Sequence, residues 1–155
     1  FQGREVVSLL TGEPEYLDPL KNEAPTGWTV TGYPWYGITT PEHQAFLKAY
    51  QGKYKDHPRL GSVVGYTAIQ SLAAGMRKAG GADTEKPITA FRGPELPSPF
   101  VPIRYRTHDT QSTMVAFLVK TPHDGLTVVM ATFRYADGAK FQPSAEEVKK
   151  LRAAD

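Results

Sequence analysis

The chain has no cysteine. That removes disulfides, thiolate nucleophiles and Cys-ligated zinc. It leaves the compartment open, since a cysteine-free chain suits a reducing cytosol and an oxidising periplasm alike. Long apolar runs are also missing: none approaches the ~18–20 residues of a membrane-spanning helix. An excess of one charge is lacking too, because 18 basic and 16 acidic side chains leave a formal charge of only +2. Proteins that hold nucleic acid by bulk charge concentrate Lys and Arg to displace counterions, so no nucleic-acid partner is expected. The four histidines, His43, His57, His108 and His123, show no metal-ligand spacing and read as surface or hydrogen-bonding residues. No phosphate-cradling Gly-x-x-x-x-Gly-Lys occurs, and in Gly61-Ser62-Val63-Val64-Gly65 the glycine directly precedes the serine, where a nucleophile elbow needs a residue between. Asp83, Asp109, Asp124 and Asp137 fall in turn-like stretches where aspartate bonds its own backbone. The inventory predicts no enzyme, no cofactor and no metal.

What is present fits one domain's worth of core, with 155 residues, 40% hydrophobic and 11% aromatic. Phe1-Gln2-Gly3 matches the end of a common tag-cleavage sequence and is set aside, with no signal peptide read ahead of it. Residues 5–10 are apolar and β-rich and predict a buried strand; 14–24 predict a short helix limited by Pro19; 28–31 predict a second strand. Together they make one parallel βαβ step. Thr39 or Thr40 caps a helix in which Phe46, Tyr50 and Tyr54 recur at every fourth position as a core stripe. Residues 61–79 predict a second helix with Tyr66, Ile69, Leu72, Ala73 and Met76 inward, stopped by Gly80-Gly81. Thr84 caps a third short helix. The Pro/Gly-rich residues 93–102 predict a loop, then 103–106, 114–120 and 126–135 predict strands, the last two as an antiparallel hairpin. Ser144 with Glu147 three residues later forms a capping-box signature for a closing helix.

The segment Gly32-Tyr33-Pro34-Trp35-Tyr36-Gly37 sets three rings in a stretch that cannot be a regular helix. It is either an aromatic wall or hinge beside a ligand cleft, or a loop pinned to the core by its rings.

The order of several motifs resembles the type I periplasmic solute-binding proteins, in the branch serving branched-chain amino-acid and aromatic-acid ABC transporters. They are Gly-Glu-Pro-Glu-Tyr at 12–16, Gly32 to Tyr36, Gly61-Ser62-Val63-Val64-Gly65-Tyr66 through Gln70-Ser71-Leu72, Pro99-Phe100-Val101-Pro102-Ile103, Asp109-Thr110-Gln111-Ser112-Thr113-Met114, Phe133-Arg134-Tyr135 and Lys149-Lys150-Leu151-Arg152. The sequence departs from the family at Val101, where Gly is usual, and at Thr110, where His is usual. The resemblance implies an α/β fold of two lobes, each a parallel sheet flanked by helices, with a late antiparallel β-hairpin, and only part of it here. Residues 4–32 resemble the last βα unit of the second lobe, 33–38 a hinge crossing, 39–110 the C-terminal part of the first lobe, and 111–155 the return to the second lobe.

The function implied is periplasmic capture of an amino acid or small aromatic carboxylate between the lobes, for delivery to a membrane permease. Glu15 would then sit near the ligand's amino group, with Glu13 its competitor and a helix-start role the alternative for both. Tyr16, Tyr33, Trp35 and Tyr36 are the wall or hinge aromatics, and Ser62 faces the cleft or caps its helix. Incomplete lobes imply association with another copy or with a missing N-terminal fragment. A ligand-sensing regulatory module on the same fold would carry a fused transmembrane or DNA-binding segment. A flavodoxin-like enzyme would need a phosphate loop where Glu13 and Glu15 place two repelling carboxylates.

Overall fold

The computed structural model describes residues 1, 3–81, 85–121 and 132–152. Strand β1 (Val7–Gly12) leads through helix α1 (Pro14–Leu20) and a 3-10 turn (Lys21–Glu23) to β2 (Thr29–Gly32). The helices α2 (Pro41–Tyr54), α3 (Leu60–Ala79) and α4 (Glu85–Ala90) follow. The short strands β3 (Glu95–Leu96) and β4 (Ile103–Arg104) come next, then β5 (Ala116–Lys120), β6 (Thr132–Ala136) and α5 (Ala145–Leu151). A four-stranded sheet runs in the order β1-β2-β5-β6, with β1 and β2 parallel and the other neighbours antiparallel. β2 lies in register with β5 from Thr29↔Lys120 to Gly32↔Phe117, so the late hairpin is stitched directly onto the opening βαβ unit.

Local chemistry explains most of the boundaries. Pro14 opens α1, where its missing N–H costs nothing. α2 starts at Thr40, whose hydroxyl accepts from the His43 N–H, and ends at Lys55 in the left-handed region. α3 stops at Gly80 (φ 73), where the Gly81 N–H reaches back to the Met76 carbonyl. The Ser144–Glu147 capping box is complete, with both reciprocal bonds formed. Of the two departures noted above, Val101 is absent from the positive-φ residues, so the side chain brings no backbone strain, whereas Thr110 does adopt φ 57.

The core gathers Val30, Tyr33, Ile38, Phe46, Val63, Phe100, Val115, Phe117 and Val119 between β2, β5 and the inner faces of α2 and α3. Tyr33, Phe100, Phe117 and Phe133 form a chain of rings with centroids 5.2 to 5.7 Å apart.

Several expectations are corrected. β1 is an edge strand, not a buried one: Val7, Leu9 and Leu10 are 70%, 73% and 59% exposed, because β1 has a neighbour only on its β2 side among the described residues. α3 is rotated about its axis from the expected face, with Ala73 and Met76 only half-buried. Its buried positions are Val63, Thr67, Ser71 and Gly75, a stripe at i, i+4 spacing, while Tyr66, Ile69 and Leu72 are exposed. Small residues let the helix approach closely, and a Cβ on Gly75 would strike the Phe91 ring. In α2, Phe46 is core and Tyr50 packs beside it, but Tyr54 is exposed. The segment expected as a loop at 93–102 contains β3, paired antiparallel with β4. The hairpin of β5 and β6 forms as expected, while its turn, the start of its second strand, His123, Asp124, Asp83 and the Thr84 cap lie outside the described residues.

Candidate functional site

The carboxyl ends of β1 and β2 meet at Gly12 and Gly32, which are paired in register. A Cβ on Gly12 would run into the Thr31 carbonyl and a Val30 methyl, and one on Gly32 into the Gly12 carbonyl. This backbone contact leaves no room for side chains and sends two segments out side by side. One is Glu13 at the head of α1. The other is the aromatic connection from Tyr33 to Gly37.

Glu13 is turned inward and only 5% exposed. One side of its carboxylate accepts from the Tyr33 backbone N–H, and its Oε2 has no hydrogen-bond partner. Burial pushes its carboxyl up to about 7, the neighbouring Glu15 adds to the rise, and the Tyr33 N–H opposes it. A buried carboxylate with an idle oxygen calls for a donor or a cation.

Tyr33 is fully buried, and its hydroxyl donates to His43 Nε2 at 2.7 Å. His43 Nδ1 in turn donates to the Ile38 carbonyl at 3.1 Å, which fixes the neutral tautomer. Burial pushes the His43 imidazole down and the Tyr33 phenol well up. Trp35 is half-buried, lies edge-on to Tyr36 at 5.5 Å, and stacks its face on His57 at 4.8 Å and 14°. The aromatic segment is therefore divided: Tyr33 pins it to the core, and Trp35 and Tyr36 remain half-buried beside it.

The remaining candidates lie elsewhere. Glu15 and Tyr16 are exposed and line a shallow hollow of about 500 Å³ with Leu10, Thr11, Pro19 and Leu20. Glu13 and Glu15 thus part company, one inward and one outward. The Ser62 hydroxyl accepts from the Arg59 N–H at 3.2 Å and donates to the Tyr50 hydroxyl at 3.2 Å, so it caps α3. Sequence reasoning missed Asp18, Asp56, His57 and Arg59, which gather where α1 meets the α2–α3 turn. Asp56-His57-Pro58-Arg59 is visibly charged in sequence, but its partner Asp18 lies 39 positions from His57. Among the described residues no cluster of His, Cys, Asp and Glu could hold a metal, and no helix is long and apolar enough to cross a membrane.

A parallel strand-helix-strand unit joined to an antiparallel hairpin and flanked by helices fits part of a type I periplasmic-binding fold. The similarity to solved structures is of this kind. The chain superposes on the leucine-, isoleucine-, valine-, threonine- and alanine-binding protein of Brucella ovis in its closed conformation with a TM-score of 0.73, at 11% identity, covering 93% of this chain and 39% of that one. It matches an ABC-type branched-chain amino acid transporter from Rhodopseudomonas palustris at TM-score 0.66 and 21% identity, over 83% of this chain and 34% of that one. A solute-binding protein of an ABC transporter from the same species, in complex with 3,4-dihydroxybenzoic acid, gives 0.63 and 20%, over 86% and 37%. The sequence pattern of the periplasmic binding proteins matches residues 2–148, and the chain belongs to that family. It spans between 34% and 39% of the length of these three solved relatives. No curated protein sequence matches it.

Proposed function

We propose that the chain is part of the solute-binding component of an ABC importer, working in the periplasm, and contributes one side of a cleft that captures an amino acid or a small aromatic carboxylate. The observation that carries this is Glu13, a buried carboxylate with an idle oxygen at the strand ends, where it meets the Tyr33 backbone N–H. A solute ammonium placed there would meet the idle oxygen and relieve the cost of ionising a buried acid. Burial favours Glu13 over Glu15 for this role, since a charge pair screened by water discriminates little. Residues 33–38 then act as a hinge crossing, with 4–32 and 111–155 in one lobe and 39–110 in the other. The other side of the cleft comes from the remainder of the family's length, supplied by the missing N-terminal portion or by another copy, and a membrane permease receives the solute.

Native mass spectrometry of the purified chain, read for assembly state and retained small molecules, tests the reading. A complex that retains an amino-acid or carboxylate solute, and loses the amino acid on Glu13→Gln but not on Glu15→Gln, supports it. A solute-free monomer that also gives no calorimetric signal with L-leucine or benzoate counts against it.

A further inference from the structure

Outside the Glu13 group, two carboxylates and a guanidinium gather around the His57 side chain. His57 Nε2 lies 3.1 Å from Asp18 Oδ2, and His57 Nδ1 lies 3.2 Å from Asp56 Oδ1. Arg59 binds Asp56 at 2.8 Å and its guanidinium also stands 4.0 Å from Asp18. The Arg59 side chain holds the Asp56 carboxyl low by hydrogen bonding, and Asp56 raises the guanidinium in return. Glu15 contributes to the potential at Arg59 from the start of α1. Pro58, fully buried, fixes the backbone between the imidazole and the guanidinium. The imidazole is thus held by Asp18 at Nε2, Asp56 Oδ1 accepts from the His57 backbone N–H at 2.8 Å, and the ring face lies on the Trp35 indole at 14°.

The two halves of this clasp come from different parts of the fold. Asp18 rides on α1, which connects the two parallel strands, while His57 and Arg59 stand in the turn between α2 and α3. Trp35 lies between them in the connection that follows β2. The ion pairs are partly exposed, with His57 and Asp18 side chains 24% and 41% accessible, so their direct contribution to stability is small. Their geometric effect is larger, because a planar ring anchored by its backbone and by Nε2 has few orientations in which to stack. Around His57, the carboxylates of Asp18 and Asp56 share the Arg59 guanidinium.

We propose that His57 is a positioning residue for the solute cleft: gripped by Asp18 of α1, it holds the Trp35 wall in place only while α1 lies against the α2–α3 turn. The cleft assignment of Trp35 rests on the function proposed above, but the clasp itself is a statement about Asp18, His57 and Trp35 alone. It makes the wall dependent on the contact of α1 with the α2–α3 turn, since moving α1 away releases the imidazole.

The test uses tryptophan emission. The chain has two tryptophans, and Trp28→Phe leaves Trp35 as the sole reporter. A ring stacked on the indole shields it from solvent. At one fixed pH, His57→Gln and Asp18→Asn are each expected to raise acrylamide quenching of Trp35 and to red-shift its emission, with far-UV circular dichroism unchanged in each. Quenching and emission unmoved by either substitution overturn the clasp. For the positioning role, both substitutions are expected to weaken L-leucine or benzoate binding several-fold, and Asp18→Glu, which keeps the carboxylate, to retain most of the affinity. Affinity unchanged in His57→Gln, or lost equally in Asp18→Glu and Asp18→Asn, overturns that role. A shielded Trp35 in a protein that binds neither solute leaves the clasp standing and sinks the cleft reading instead.

Discussion

The Tyr33 hydroxyl donates to Nε2 of His43 across 2.7 Å, with both side chains wholly out of contact with solvent. This bond ties the aromatic connection after β2 to the first turns of α2, at the point where the Tyr33 backbone also meets Glu13. Breaking one partner leaves a buried imidazole nitrogen unsatisfied. Tyr33→Phe is therefore expected to destabilise the chain by about 1–3 kcal/mol, seen as a lower denaturation midpoint. His43→Leu in the Tyr33→Phe background should recover part of the loss, because the Ile38 carbonyl keeps its Gln44 donor. A double variant worse than the sum of its parts would show that the pair is not acting as a hydrogen bond.

Glu13 makes stability fall as pH rises. Its carboxyl is raised from 4.5 to about 7 in the fold, so the folded state holds a proton that the unfolded chain has released. The stabilisation is complete below pH ~4.5 and is lost as pH climbs through about 7. Glu13→Gln should flatten that slope and raise the melting temperature at pH 8. An unchanged slope in melts run from pH 4.5 to pH 8 would place the titration elsewhere.

Asp109 acts in the opposite sense. Hydrogen bonding from Arg106 holds its carboxyl down at about 2 against an ordinary 3.8. That contribution is present above pH ~4 and disappears as pH falls toward 2. Asp109→Asn should shift the acid-unfolding midpoint and remove the steepest part of the transition between pH 4 and pH 2, followed by circular dichroism.

Open and closely packed glycines should respond with opposite signs. Gly65 is exposed in mid-helix with nothing near a Cβ, so Gly65→Ala is expected to stabilise by about 0.5–1 kcal/mol. Gly75→Ala meets the Phe91 ring and Gly32→Ala meets the Gly12 backbone, and each should cost about 1–3 kcal/mol. Thermal melts of the three variants distinguish close packing from mere helix propensity.

The outer face of α3 gives a further expectation. Ile69 is 66% exposed, so Ile69→Lys should change the stability of the chain by less than about 0.5 kcal/mol. If a companion polypeptide covers that face, the same variant should abolish the association in size-exclusion chromatography. A variant that still associates would move the interface away from α3.

Local order was legible in the sequence wherever neighbours in the chain decide it. The Thr40 cap, the Gly80 stop, the Ser144–Glu147 box and the pairing of β5 with β6 all rest on contacts or hydrophobic alternation over short spans. The candidate site was legible only in part. The motif at 12–16 and the rings at 33–36 single out two segments that the fold sets side by side, but Glu13 and Glu15 carry the same side chain two positions apart, and nothing in the pattern says which turns inward.

α3 shows the same limit. Its sequence offers two stripes, one of large apolar residues and one of Val63, Thr67, Ser71 and Gly75, and the larger stripe was the natural choice for the inside. Sequence by itself determined the elements, their caps and their family pattern. Only the tertiary structure decided that the small stripe faces Phe91 and the core, that β1 lies at the sheet edge, that His43 receives Tyr33, and that Asp18 reaches His57. The reason is physical: propensity and capping act over a few residues, whereas burial depends on which surfaces the folded chain sets against one another.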